Sequence, residues 1–258
     1  MKKTRIILSI FLCFVFLFVL SSCEKIDAKK LEAEAALKLL ESPYILNTEM
    51  NMSYSGGDES EDADSDGIKS SMSMNVDGTN FKMTAGSGPT QIEYVFADKN
   101  LYINMMGTKL MAEMSEEDVK ELLGVGATGI SKMSECSFSH VETEKNEDGK
   151  VTVRYKGLEG DENELISSLL EDISKIGEGE ETVELDKTNF EYIAVIDQDG
   201  RYESMNINFI VNTSVDGDKL SVSVNIVMRF DYENAVEVNA PEDADEYYDV
   251  GDIGDIIG

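Results

Sequence analysis

The sequence predicts an α+β protein built on a single curved antiparallel sheet and covered by a few amphipathic helices. Three observations lead there. Long stretches alternate apolar and small polar residues with a period of two, the mark of a strand with one buried face. Asp-Gly pairs fall between those stretches where hairpin turns belong. A small number of segments switch instead to helical spacing, with caps at their ends.

In chain order, "EKIDAKKLEAEAALKLLESP" reads as a helix in which Leu31, Ala35, Leu39 and Leu40 share a face and Pro43 ends the run. Alternation follows in Met50, Met52 and Tyr54, and again in Met72, Met74 and Val76. "VDGT" at 76–79 then turns the chain into Phe81 and Met83. "QIEYVF" and "NLYINM" form the next hairpin through "ADKN", and a short strand spans Lys109–Met114. "SEEDVKELLG" predicts a helix capped by Ser115 and Asp118 and stopped at Gly124. "KVTVRYKG" alternates again. "GDENELISSLLEDISKIG" then predicts a long helix over 161–176, with Asp161 and Glu164 at its start and Gly177 at its end. In the last third, Met205–Val211 and Leu220–Phe230 alternate on either side of "VDGD" at 215–218, and "DQDGR" at 197–201 makes a similar turn upstream. Proline occurs only at 43, 89 and 241, and no composition break divides the chain into two folding units.

The first residues have a different layout. Lys2, Lys3 and Arg5 precede an uncharged apolar run from Ile6 to Leu20, followed by Ser21, Ser22 and Cys23. A positive start, a short apolar core and small residues are the pattern of a secretory signal. An uncleaved N-terminal anchor is the alternative, but the run falls short of the roughly 20 apolar residues that span a bilayer. Leu20-Ser21-Ser22-Cys23 resembles the lipobox of bacterial lipoproteins, which implies cleavage after Ser22 and acylation of Cys23. The expected organisation is a signal peptide at 1–22, a lipidated tether at 23–26, a sheet domain at 27–245 and an acidic tail at 246–258. The expected location is the outer face of a bacterial cell membrane.

The formal net charge is −30, and loss of Lys2, Lys3 and Arg5 would lower it by three more. Such a surface repels nucleic acid and anionic headgroups. With Cys23 acylated and Cys13 removed, Cys136 has no disulfide partner, so it reads as a buried structural thiol.

Element order resembles the LolA-like superfamily, in particular the LppX/LprG-type lipoproteins, and a group of clostridial lipoproteins with similar hairpins. The likeness rests on the lipobox, an early helix, paired hairpins such as "YVFADKNLYINMMGTKL" and a late "NAPEDADEY". It implies a half-open antiparallel barrel around helices, with an apolar cavity for a lipid or lipoglycan.

Of the 13 methionines, most lie at apolar positions of the predicted strands. Unbranched, polarizable thioethers adapt to variable acyl chains, and they also fill gaps in an ordinary core. The cavity-lining candidates are Met52, Met72, Met74, Met83, Met205, Ile207, Phe209, Val224, Ile226 and Met228. Asp62, Asp64 and Asp66 with Gly67 match the first half of a Ca²⁺-binding EF-hand loop. Position twelve is Ser73 where a bidentate glutamate belongs, so a solvated acidic loop is the competing reading. No other cofactor is expected. His140 is the only histidine, and four residues along a strand place it about 13 Å from Cys136, too far for proton transfer. No nucleophile, phosphate-binding or metal motif accompanies it. The expected function is therefore non-catalytic: a membrane-anchored carrier of a lipid or other amphipathic ligand. The alternative is a structural or protein-interaction lipoprotein with a solid core and an acidic, cation-binding surface.

Overall fold

The computed structural model describes residues 26–55, 67–86, 90–115, 118–119, 136–159, 184–215 and 218–252. One helix, α1 (Ala28–Leu39), precedes strands β1 (Tyr44–Ser55), β2 (Ile68–Asp77), β3 (Asn80–Ala85), β4 (Ile92–Ala97), β5 (Asn100–Met105) and β6 (Thr108–Glu113). Then follow β7 (Ser137–Lys145), β8 (Val151–Glu159), β9 (Glu184–Leu185), β10 (Glu191–Ile196), β11 (Tyr202–Val215), β12 (Asp218–Asp231) and β13 (Tyr248–Asp252).

All belong to one sheet of 13 strands, ordered β13-β6-β5-β4-β3-β2-β1-β12-β11-β10-β8-β7, with β9 on β11. Its ends, β13 and β7, do not meet, so the sheet is open and not a closed barrel. The pairing is antiparallel throughout except for β13 on β6. The sheet has two arms, and they join where β1 pairs with β12 over Ile45–Ser55 and Ser221–Asp231. That pairing carries the longest sequence separation in the ladder.

Local chemistry explains the turns. The β11–β12 hairpin closes at Val215 opposite Asp218, as the Asp-Gly turn predicts. Between β4 and β5, Asp98 and Lys99 both take positive φ, 54° and 67°, which matches the right-handed strand twist. Asp197 accepts from the backbone N–H groups of Asp199 and Arg201, both at 2.9 Å, and pins the β10–β11 turn. At Gly157 (φ +62°) the ladder skips between Leu158 and Lys156, and the glycine N–H turns to the Phe190 carbonyl at 2.9 Å.

A few covering helices were expected, whereas among the described residues a single α-helix, α1, covers the sheet. Asp27 caps it by accepting from the Lys30 N–H at 3.2 Å, which starts the helix later than the sequence pattern suggested. Ser115 and Asp118 make the expected capping contacts, with Asp118 N–H to Ser115 Oγ at 3.1 Å and Ser115 Oγ to Asp118 Oδ2 at 2.5 Å. The rest of that predicted helix, and the one at 161–176, lie outside the described residues.

The chief apolar cluster lies on one face of the sheet and includes α1, Phe81, Phe96, Val119, Tyr155, Phe190 and Phe230. A second, small cluster lies on the opposite face, where the segment after β12 folds back over the first arm. It consists of Val95, Ala97, Tyr102, Val238 and Tyr247. Asn75 and Asn80 donate to the carbonyls of Val236 and Val238 at 2.7 and 3.1 Å. Lys109 clamps Asp243 and Glu246, both at 2.5 Å. The segment ends in β13, inside the stretch expected to be an acidic tail.

Candidate functional site

Register brings all ten cavity-lining candidates onto the helix-bearing face. Residues paired across a ladder share a face, so the pairs trace rows perpendicular to the strands. One row runs Phe230–Leu46–Met74–Met83–Tyr94–Ile103–Leu110. The next runs Met205–Met228–Thr48–Met72–Ala85–Ile92–Met105.

These rows divide the candidates into two groups. Met52, Met205, Ile207, Phe209, Val224 and Ile226 are buried in the main cluster. Met72, Met74, Met83 and Met228 are half-buried, as are Leu46, Tyr94, Ile103 and Leu110 beside them. The face is therefore packed shut near β10–β12 and along the row Val76–Phe81–Phe96–Leu101–Ala112, and beside that row it presents a half-covered apolar band across β1–β6. Methionine supplies much of that band, and its flexible thioether can follow a ligand of varying shape.

The opposite face is polar and largely uncharged at its centre. Asn225 donates to Asn206 at 3.0 Å and Asn208 at 2.6 Å, and Ser73 donates to Asn47 at 2.8 Å. A shallow depression of about 450 Å³ lies over β1–β3, lined by Asn47, Glu49, Ser71, Ser73 and Gln91 and reaching Thr48 and Met72. Glu49 is paired with Arg229 at 2.8 Å.

The remaining candidates separate in the same way. Cys23, its cleavage site after Ser22, and Asp62, Asp64 and Asp66 lie outside the described residues. Gly67 is described, and a Cβ there would collide with the Met52 carbonyl, so close strand approach is a reason for glycine independent of any ion. Among the described residues no group of acidic, histidine or cysteine side chains is placed to hold a metal. His140 sits exposed on edge strand β7 and meets Glu142 at 2.8 Å, which holds that carboxyl below its usual range. Cys136 is buried, and its carbonyl accepts from Lys29 of α1 at 3.4 Å.

One group escaped the sequence reading. Glu32 is fully buried on the face of α1 formed by Ala28, Ala35, Ala36 and Leu39, whereas Leu40 is 64% exposed. Its carboxyl faces the hydroxyls of Tyr155 and Tyr192, which are paired across β8 and β10. None of these four oxygens completes a hydrogen bond, while the Tyr202 hydroxyl donates to the Glu32 backbone carbonyl at 3.1 Å. Burial pushes the carboxyl up from 4.5 to about 7, opposed by the Tyr155 and Tyr192 hydroxyls. The readable signal was position: Glu32 lies four residues after Ala28 and four before Ala36, within the small-residue stripe.

No family model matches the chain, and no curated protein matches it.

Proposed function

We propose that this chain is an exported, lipid-anchored binding protein that carries a lipid or lipoglycan, in the manner of a LolA/LppX-like half-open barrel. The observation carrying the proposal is the half-buried row Leu46–Met74–Met83–Tyr94–Ile103–Leu110, six apolar side chains on six successive strands of an open sheet. A row across six strands spaced about 4.8 Å apart is longer than 20 Å, enough for an extended acyl chain. Each methylene buried along it stabilises the complex by about 0.8 kcal/mol. Chemistry is not required for this role: the ligand is taken up by burial and leaves unchanged. Acyl groups on Cys23 would keep the carrier at the membrane from which it loads.

Residues 23–258 with Cys23→Ser, examined by native mass spectrometry as purified and after incubation with a total lipid extract, test the proposal. Adducts of lipid mass that vanish on denaturation are expected. A bare mass under both conditions would favour the alternative role, a structural or protein-contacting lipoprotein. The fully packed quarter around Val153, Met205 and Val211 is what supports that alternative.

A further inference from the structure

Helix α1 is held to the sheet by unusual means. Its buried apolar side chains are three alanines and one leucine, Ala28, Ala35, Ala36 and Leu39, so little apolar area opposes its release. Between them it buries a carboxyl, Glu32, whose two oxygens have no hydrogen-bond partner. A neutral carboxylic acid tolerates such a site, but an unpaired carboxylate does not, because its charge loses water and gains no counter-ion. The groups facing it from the sheet are phenols: Tyr155 on β8, Tyr192 on β10 and Tyr202 on β11. Asp27, at the N-cap of the helix, adds a negative charge near Tyr155. Each phenol is itself pushed upward by burial and stays neutral, so the Tyr155 and Tyr192 hydroxyls offset a carboxylate only in part and none supplies a counter-charge.

We propose that Glu32 is a proton-operated latch: protonated, it lets α1 lie on the sheet, and ionised, it drives the helix off and uncovers the apolar floor beneath. That floor includes Tyr155, Tyr192 and Tyr202. It belongs to the same cluster as Met205, the buried end of the second row, so release lengthens the apolar band. This last consequence rests on the acyl-carrier reading, whereas the latch itself is observable without lipid.

The test is hydrogen exchange of the purified full chain from pH 4 to 8.5, corrected for intrinsic rates. Opening of Ala28–Leu39 should rise about tenfold per pH unit between 4.5 and about 7 and level off above. Opening of β11 and β12, which requires global unfolding, should stay well below that of α1 at every pH, and Glu32→Gln should abolish the α1 rise. An α1 profile that is flat in the wild type, unchanged in Glu32→Gln, or no more open than β12 overturns the latch. Should Glu32→Gln fail to fold, the ¹³C carboxyl resonance of Glu32 in the wild-type chain decides. A midpoint near 7 that coincides with the rise in α1 exchange supports the latch, and one at 4.5, or one near 7 with flat α1 exchange, overturns it. Failure to bind lipid leaves all these readouts intact and strikes only the carrier reading.

Discussion

The Tyr202 hydroxyl donates to the backbone carbonyl of Glu32 at 3.1 Å, a buried bond joining β11 to the middle of α1 across 170 positions of sequence. It completes a side-chain hydrogen bond to the helix where the neighbouring Tyr155 and Tyr192 hydroxyls do not. Tyr202→Phe keeps the ring and its contact with Phe230. The variant should lose about 1 kcal/mol, the usual net worth of one such bond. Urea unfolding should show a lower midpoint with an unchanged slope.

The buried carboxyl also makes global stability depend on pH in a definite sense. The folded-state pKa of Glu32 is raised, so above pH 4.5 the unfolded chain releases a proton that the folded chain retains. Stability from this group is full below 4.5, falls as pH rises to about 7, and is constant beyond. At about 1.36 kcal/mol per pKa unit, the loss across that window is about 3 kcal/mol. Other carboxylates titrate too, so the quantity to measure is the difference between wild type and Glu32→Gln in urea at each pH. That difference should grow in favour of the glutamine variant from pH 4.5 to 7 and then stay level.

Gly157 has a narrower role. Its φ of +62° suits glycine, and a Cβ there would run into the Ser139 Oγ. Gly157→Ala should cost about 1–3 kcal/mol. Adding Ser139→Gly should recover only the steric part, because the backbone conformation remains costly for alanine. Thermal unfolding of the two variants separates these contributions.

How much of this was legible in the sequence depended on whether the signal was local. The β11–β12 hairpin was readable because Asp-Gly marks the turn and Met205–Val211 alternate on one side, Val222–Phe230 on the other. The face shared by Met74, Met83 and Phe209 followed from the same period. The partner of β1 was not readable: Met50 alternates as any strand does, and nothing local says that it faces Ile226 rather than a nearer strand. β13 reads as tail in the sequence because Tyr248–Asp252 is short and carries two aspartates and a glycine, with only Tyr248 and Val250 in alternation, and it pairs only at an edge. Glu32 was missed because glutamate on a helix usually faces water. Its burial depends on which side of α1 the tyrosines of three distant strands approach.

The apolar band can be tested at two adjacent residues. Met74 and Ser73 are neighbours on β2 that point to opposite faces, Met74 into the band and Ser73 toward Asn47. A fluorescent sixteen-carbon acyl probe titrated into residues 23–258 with Cys23→Ser should bind. Met74→Asp should weaken that binding at least tenfold, since the difference expected for a carboxylate in an apolar contact exceeds about 1.4 kcal/mol. Ser73→Asp should leave it within twofold. No binding by the parent chain, or equal losses from the two aspartates, would contradict an acyl chain lying along the row Leu46–Met74–Met83–Tyr94.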